Sequence, residues 1–395
     1  MLDLANADAT TTKLRANSSA DIPSVLHIAS GDLWGGAEAV VAELAREQHA
    51  AAPGKVACVV MNPGILATEL VKSGIRTLVL DESRSNLVKL AAQTAKLVRD
   101  LRPDILHAHR QKENLIALLA MWLRGRGVQR PALVSTIHGL PEPVAANRSW
   151  RRRLVASFNE RILRVGFDAI VAVSRDIEHT FRARFPAERI VCVHNGIRVP
   201  QPTAVISTNA SRPLKLLALG RLVPIKRYDR LRDVSDGIAA ATGRRASICL
   251  AGEGPLQREL EAVLRPSDAA SGFEMPGFIR DVGPLLDECD ALLITSDHEG
   301  IPMSALEALA RGIPVFGFRV GGLPELETAG APVRLVAPGD SAALALAIVS
   351  YFSQVGTGHR AYPATDWPFG IPQCARAYRQ LYESLRARAT RAVQG

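Results

Sequence analysis

The stretch Ala291-Leu292-Leu293-Ile294-Thr295-Ser296-Asp297-His298-Glu299-Gly300-Ile301-Pro302-Met303-Ser304-Ala305-Leu306-Glu307 contains strand, turn and helix in one pass. Its first residues form an apolar run of strand length. The polar Ser-Asp-His-Glu-Gly turn follows, and a helix is predicted from near Met303, with Ala305, Leu306, Leu309 and Ala310 as its apolar face. A strand leading through a short loop into a helix is half of a parallel βαβ unit. The same alternation extends in both directions. Strands are predicted at 214–219, 247–251, 273–274, 315–318 and 333–336 around it, and at 25–29, 56–61, 77–80, 105–108, 133–137, 169–173 and 190–193 in the first half, with helices such as 37–48 and 87–100 between them. The class is α/β.

Between the two series, from Val199-Pro200-Gln201-Pro202 through a Ser-, Thr- and Asn-rich stretch to Pro213, periodicity gives way to turn chemistry, which reads as a linker. The expected organisation is a loose tail over 1–22, a Rossmann-like doubly wound domain over 23–200, a second over 201–370, and a closing helix in 371–395. That helix carries Tyr378, Leu381, Tyr382 and Leu385 at three- and four-residue spacing, so it must dock on something.

In open parallel sheets, ligands bind beyond the carboxyl ends of the strands, where helix N-termini and glycine loops converge. Five unusual segments fall on that edge: Gly31 to Gly36, His138-Gly139, Gly220 to Lys226, Gly252-Glu253-Gly254 and His298-Glu299-Gly300. Gly35-Gly36-Ala37-Glu38 opens a helix directly after a strand, so its backbone N–H groups and the positive end of the helix dipole can meet a phosphate. A simple tight turn is the alternative reading. Arg221 and Lys226 are spaced so that both cations can reach one diphosphate, unless they only form a solvated basic loop. Glu299 and Glu307 can each accept hydrogen bonds from sugar hydroxyls, although glutamates near helix starts often serve as caps or dipole partners.

Taken together in order, Gly220-Arg221-Leu222 through Lys226, Ala251-Gly252-Glu253-Gly254-Pro255, Pro276-Gly277-Phe278, Glu299 to Glu307, Gly312-Ile313-Pro314-Val315 and Gly321-Gly322-Leu323-Pro324-Glu325 resemble the C-terminal domain of retaining glycosyltransferases of family 4. Gly35-Gly36-Ala37-Glu38, Thr136-Ile137-His138-Gly139, Val173-Ser174 and Asn195-Gly196-Ile197 extend the resemblance over roughly residues 24 to 340. One departure is Arg198, where an acidic residue is common. The resemblance implies the GT-B architecture, two Rossmann-like domains facing each other across a cleft, with the nucleotide-sugar donor held mainly by the second. It implies Arg221 and Lys226 at the diphosphate, Glu307 at the ribose hydroxyls and Glu299 at the transferred sugar. Gly300, Ile301, Pro302, Met303 and Ser304 would add contacts to phosphate and sugar, with Gly36 approaching the diphosphate from the first domain and His138 lining the reacting face. Gly252 and Phe278 would complete the donor pocket, and the closing helix would cross back to the N-terminal domain. Family members of this kind transfer with retention by attack on the face of the departing group, the diphosphate helping to deprotonate the acceptor.

The chain has no Asp-x-Asp triplet to carry a divalent cation, so metal-independent transfer without a cofactor is expected, with Arg221, Lys226 and helix amides stabilising the leaving group. Glu299 can be read as a nucleophile or as a holder of a sugar hydroxyl, and His138 as a base or as a positioning group. His107 and His109 lie on a buried-looking strand and read as structural.

The five cysteines are scattered without metal spacing, which fits a reducing cytosol. The longest apolar run, 115–123, is about half of the roughly 20 residues that span a bilayer. Nearly all of the net charge of +9 sits in the first half, with 27 Lys+Arg against 19 Asp+Glu in residues 1–200 and 21 against 20 thereafter. Arg148, Arg151, Arg152, Arg153, Arg161 and Arg164, mixed with Trp150, Leu154, Phe158 and Leu163, suggest an amphipathic basic surface for an anionic membrane. Nucleic acid is not expected, because no helix-turn-helix, zinc or aromatic RNA-binding motif accompanies the charge. The expectation is a cytoplasmic, peripheral inner-membrane enzyme of surface-polysaccharide or lipopolysaccharide assembly, using a nucleotide-sugar (foremost a UDP-sugar) and a glycan or lipid-linked acceptor. A non-catalytic nucleotide-binding scaffold and a sugar-nucleotide epimerase or hydrolase are the competing readings.

Overall fold

The computed structural model describes residues 22–32, 34–125, 127–140, 150–200, 212–264, 272–357, 363 and 366–394, with backbone only for 150–156 and 392–394. The expected tail up to residue 21 and the linker over 201–211 lie outside the described residues.

The first half runs β1 (Val25–Ser30), α1 (Gly36–Ala51), β2 (Val56–Met61), α2 (Ile65–Lys72), β3 (Arg76–Leu80), α3 (Leu87–Leu101), β4 (Ile105–Ala108), α4 (Gln111–Leu123), β5 (Ala132–Ile137), α5 (Trp150–Gly166), β6 (Ala169–Ala172), α6 (Arg175–Arg182) and β7 (Ile190–Cys192). The second runs β8 (Lys215–Leu219), α7 (Leu231–Thr242), β9 (Ser247–Ala251), α8 (Gln257–Leu264), β10 (Phe273–Gly277), α9 (Gly283–Glu288), β11 (Ala291–Ile294), α10 (Met303–Ala310), β12 (Val315–Phe318), α11 (Leu323–Thr328), β13 (Val333–Val336) and α12 (Ser341–Val355), before the long α13 (Ile371–Gln394).

Among the described residues, the first sheet has the order β3-β2-β1-β4-β5-β6-β7 and the second β10-β9-β8-β11-β12-β13, with parallel pairing throughout. Strands such as β2, β4 and β11 are buried along their whole length, because helices cover both sheet faces. The strand order reverses at β1/β4 and again at β8/β11. Each reversal opens a crevice at the carboxyl edge of its sheet, where helices depart to opposite faces.

The closing helix packs on the first domain. Tyr378, Leu381, Tyr382 and Leu385 join Val41, Leu44, Val56 and Ile105 in one core, while Trp367 and Phe369, just before the helix, are buried in the second domain. A backbone bridge between Ile197 and Gly370 ties the two crossings together. Arg198, the departure noted in the sequence, faces Glu43 and Glu47 of α1 at 3.6 and 3.5 Å.

One expectation is corrected. Leu163 is fully buried in the first domain's core and not part of a surface, because the inner face of α5 packs on the sheet and α4. Arg164 is also tied down, donating to the Arg184 carbonyl at 2.7 Å and lying over the Phe185 ring. Arg148 and the side chains of 150–154 lie outside the described residues.

Candidate active site

The second domain supplies three loops. Gly220 leaves β8 with φ 146° and Gly252 leaves β9 with φ 153°, and a Cβ on Gly252 would stand 1.9 Å from the Gly220 carbonyl oxygen. Only glycine permits this approach, which presses the two loops together beside the switch point. Arg221 follows, exposed and without a partner among the described residues. Lys226 closes a short 3-10 turn, Pro224–Lys226, whose last carbonyl accepts from the Thr295 hydroxyl. Its ammonium donates to Glu299 Oε1 at 2.6 Å, and the Ser296 hydroxyl donates to the same oxygen at 2.5 Å.

The third loop turns into α10, whose N-cap is Pro302, with no side chain capping the first amides. Across the cleft α1 begins at Gly35, likewise with no side-chain cap. Gly36 is exposed, and a Cβ placed on it would lie 3.5 Å from Met303 Cγ. Two helix N-termini, one from each domain, therefore present free N–H groups to the same space, an arrangement suited to an anion. One turn into α10, burial pushes the Glu307 carboxyl up to about 7, with Arg311 partly offsetting and Glu43 adding to the shift.

His138 forms the opposite wall directly after β5. Burial pushes its imidazole down to about 3. Its Nε2 lies 3.3 Å from His109 Nδ1, His109 Nε2 lies 3.0 Å from His27 Nδ1, and His27 Nε2 lies 2.8 Å from Gln48 Oε1. His107 bridges Tyr382 and Thr136 at 2.7 Å each. Burial lowers His27 to about 4, and His107 and His109 well below the usual histidine range.

Among the described residues, two clusters have metal-ligating composition: His27, His107 and His109, and Cys192, His194 and Glu325. In the first, all six ring nitrogens already have hydrogen-bond partners in the protein. In the second, Glu325 accepts from the Arg175 amide at 2.8 Å and pairs with His194 at 2.7 Å, which reads as a clamp between domains.

Other contacts hold the domains together around the cleft. Asn195 Nδ2 donates to the Ile301 carbonyl at 2.9 Å, and His298 Nε2 lies 2.9 Å from Asp176 Oδ2. The open cleft between the domains has a volume of about 800 Å³. Every candidate residue lines it: Gly36 and His138 from the first domain, and Arg221, Lys226, Gly252, Phe278, Glu299, Gly300, Ile301, Pro302, Met303, Ser304 and Glu307 from the second. Sequence reading gave no role to Ser296 or Asp176, and placed Asn195 in a motif without a role. Ser296 was visible as a hydroxyl three residues before Glu299, whereas the other two act on residues more than a hundred positions away.

Residues 34–199 match the family model described as Glycosyltransferase Family 4, and residues 213–354 the model described as Glycosyl transferases group 1. The chain is similar to a 2-deoxystreptamine N-acetyl-D-glucosaminyltransferase of Streptomyces fradiae, 28% identical over 346 residues that cover 79% of this chain and 81% of that one. It is also similar to the amylovoran biosynthesis glycosyltransferase AmsK of Erwinia amylovora, 29% identical over 234 residues, 55% of this chain and 56% of that one. Among solved structures, Anabaena HepE in complex with UDP-glucose superimposes with a TM-score of 0.70 at 18% identity, covering 94% of this chain and 99% of that one. At that identity the likeness shows the fold.

Proposed function

We propose that this chain, a glycosyltransferase of the GT-B fold, moves a sugar from a nucleotide-sugar donor, a UDP-sugar foremost, to a glycan or lipid-linked acceptor with retention of anomeric configuration. The observation that carries the reading is the convergence of Arg221, Lys226 and two uncapped helix N-termini on one cavity. A diphosphate is the ligand that such a set of fixed donors accommodates. The UDP and UDP-glucose complexes of HepE support the choice of nucleotide for the shared fold.

In this reading Arg221 forks onto the diphosphate, and Lys226 neutralises the charge that develops on it as the sugar leaves. The amides of Gly300 to Ser304 and of Gly36 complete the cradle. Glu307 accepts from the ribose hydroxyls and Glu299 from hydroxyls of the transferred sugar, while His138 contacts that sugar from the other domain. The bond from the anomeric carbon to the diphosphate oxygen breaks, and the acceptor oxygen bonds to the same carbon from the same face. The acceptor proton passes to a diphosphate oxygen. Glu299 is engaged by Lys226 and Ser296, which supports a hydroxyl-binding role over a nucleophilic one. The transfer needs no divalent metal.

The setting we assign is bacterial surface-polysaccharide or lipopolysaccharide assembly at the cytoplasmic face of the membrane, a reading supported by the amylovoran relative. No helix among the described residues is long and apolar enough to cross a membrane. Exposed Trp122 on α4, and Phe158 and Val165 beside Arg161 on α5, support peripheral contact. The test is donor-dependent formation of a glycosylated product whose anomeric coupling is read by proton NMR. An α-linked product from an α-donor is expected, and a β-linked product overturns retention.

A further inference from the structure

Three histidines behind and at the cleft wall, His27, His109 and His138, form a single file, and the function proposed above uses only the last of them. The file starts at Gln48 on α1, passes through His27 on β1 and His109 after β4, and ends at His138 on the cleft wall, with links of 2.8, 3.0 and 3.3 Å. At the far end, Gln48 lies near the Tyr382 hydroxyl of α13, which is bonded to His107. Gln48 and Tyr382 both line a second cavity of about 250 Å³, on the side of the first domain where α13 packs. At the near end, His138 Nδ1 is buried and has no partner among the described residues.

A neutral imidazole has one N–H and one bare nitrogen. Burial holds all four rings neutral around pH 7, so each ring in the file must accept on one side and donate on the other. Gln48 presents its carbonyl oxygen to His27, so His27 carries its proton on Nε2 and offers Nδ1 as an acceptor. His109 then donates from Nε2 and accepts at Nδ1, and His138 donates from Nε2. The open end of the file is a bare Nδ1. Reversing the Gln48 amide would reverse every link and leave a buried N–H at His138 without an acceptor, which is the costlier of the two orphans.

We infer that Gln48, His27 and His109 are positioning residues for His138: they fix its tautomer, with the proton on Nε2 and the lone pair on Nδ1, so that the cleft histidine meets the donor sugar as a hydrogen-bond acceptor and not as an acid. The role of His138 toward the sugar rests on the function proposed above; the tautomer itself does not.

The experiment is 15N NMR of protein labelled at histidine nitrogens, free of donor, with His138 assigned by its loss in His138→Gln. A pyridine-type signal from Nδ1 and a pyrrole-type signal from Nε2 are expected, and the opposite assignment overturns the inference. Gln48→Leu, which cannot accept, is expected to mix the tautomers, whereas Gln48→Glu, which still accepts from His27, should keep the wild-type pattern. In a UDP-glucose titration, Gln48→Leu should weaken binding about three- to tenfold, the range of one neutral hydrogen bond, with affinity restored in Gln48→Glu. A folded Gln48→Leu protein with an unchanged His138 spectrum overturns the inference. The wild-type spectrum decides it even if that variant does not fold, and whether or not UDP-glucose binds.

Discussion

Lys226 Nζ donates to Glu299 Oε1 at 2.6 Å, joining in one ion pair the cation and the carboxylate assigned to opposite ends of the donor. The two side chains are only 21% and 10% exposed, and Ser296 holds the same carboxylate oxygen. Under the proposed function, a diphosphate entering the cleft would compete for Lys226, and Glu299 would then be free to take sugar hydroxyls. The pair keeps both groups in place while the cleft is empty.

This arrangement separates the two residues experimentally. Glu299→Gln should bind UDP within about threefold of wild type but lose about tenfold in affinity for the UDP-sugar, since one charge-assisted hydrogen bond to the sugar is worth about 1.5–3 kcal/mol. Lys226→Ala should weaken both ligands about 10–100-fold. Calorimetric titration with UDP and UDP-glucose reads the difference, and equal losses for both ligands in Glu299→Gln would remove it from the sugar.

Donor binding through Glu307 is expected to depend on pH. Its folded value of about 7 lies above the unfolded 4.5 because burial penalises the carboxylate. Between those values the folded state holds a proton that the unfolded state has lost, so stability falls as pH rises from about 4.5 to 7 and is level beyond. Glu307→Gln should therefore be more stable than wild type above pH 7, by about 1–3 kcal/mol. Ribose hydroxyls donate to the ionised form, so donor affinity should fall as pH drops below about 7 in wild type and lose that dependence in the variant. Thermal melts and donor titrations at pH 5.5 to 8.5 check both.

Gly252→Ala tests the loop geometry. The added carbon would meet the Gly220 carbonyl at 1.9 Å in a backbone conformation that disfavours side chains. A stability loss of about 2–4 kcal/mol is expected, accompanied by loss of UDP binding. Gly277→Ala has positive φ with open space and should cost less, about 1 kcal/mol.

Exposed Trp122 on α4, and Phe158 and Val165 beside Arg161 on α5, should bring the protein down with anionic vesicles of phosphatidylglycerol at low salt. Release by about 0.5 M salt is expected for the electrostatic part, and Trp122→Ala with Phe158→Ala should weaken binding severalfold. Flotation with neutral vesicles is the control; equal binding to both lipid types would contradict a charge-led contact.

Much of the fold was legible because its strands are short, continuous apolar runs. The predicted bounds 56–61, 105–108, 247–251, 315–318 and 333–336 coincide with β2, β4, β9, β12 and β13. β10 was read as 273–274 but extends to Gly277, because Pro276 and Gly277 look like a turn in sequence while the strand continues past a register shift. For the site, strand-end position alone left Arg221, Lys226, Glu299 and Glu307 with bland alternatives, and only the family resemblance put them in one donor pocket; all four line one cavity in the structure. The histidine file was not legible. His107 and His109 were read as structural, and their burial agrees with that, but the links from His27 to Gln48, from His27 to His109 and from His109 to His138 span 21, 82 and 29 positions. Only sheet order places them in line.

The most direct test of the central claim is a thermal-shift screen against UDP-, GDP- and ADP-sugars, with EDTA throughout, on wild type and Arg221→Ala. Stabilisation of the wild type by a UDP-sugar in the presence of chelator is expected, and its disappearance in the variant. Stabilisation that requires a divalent cation, or that survives Arg221→Ala undiminished, would contradict the claim.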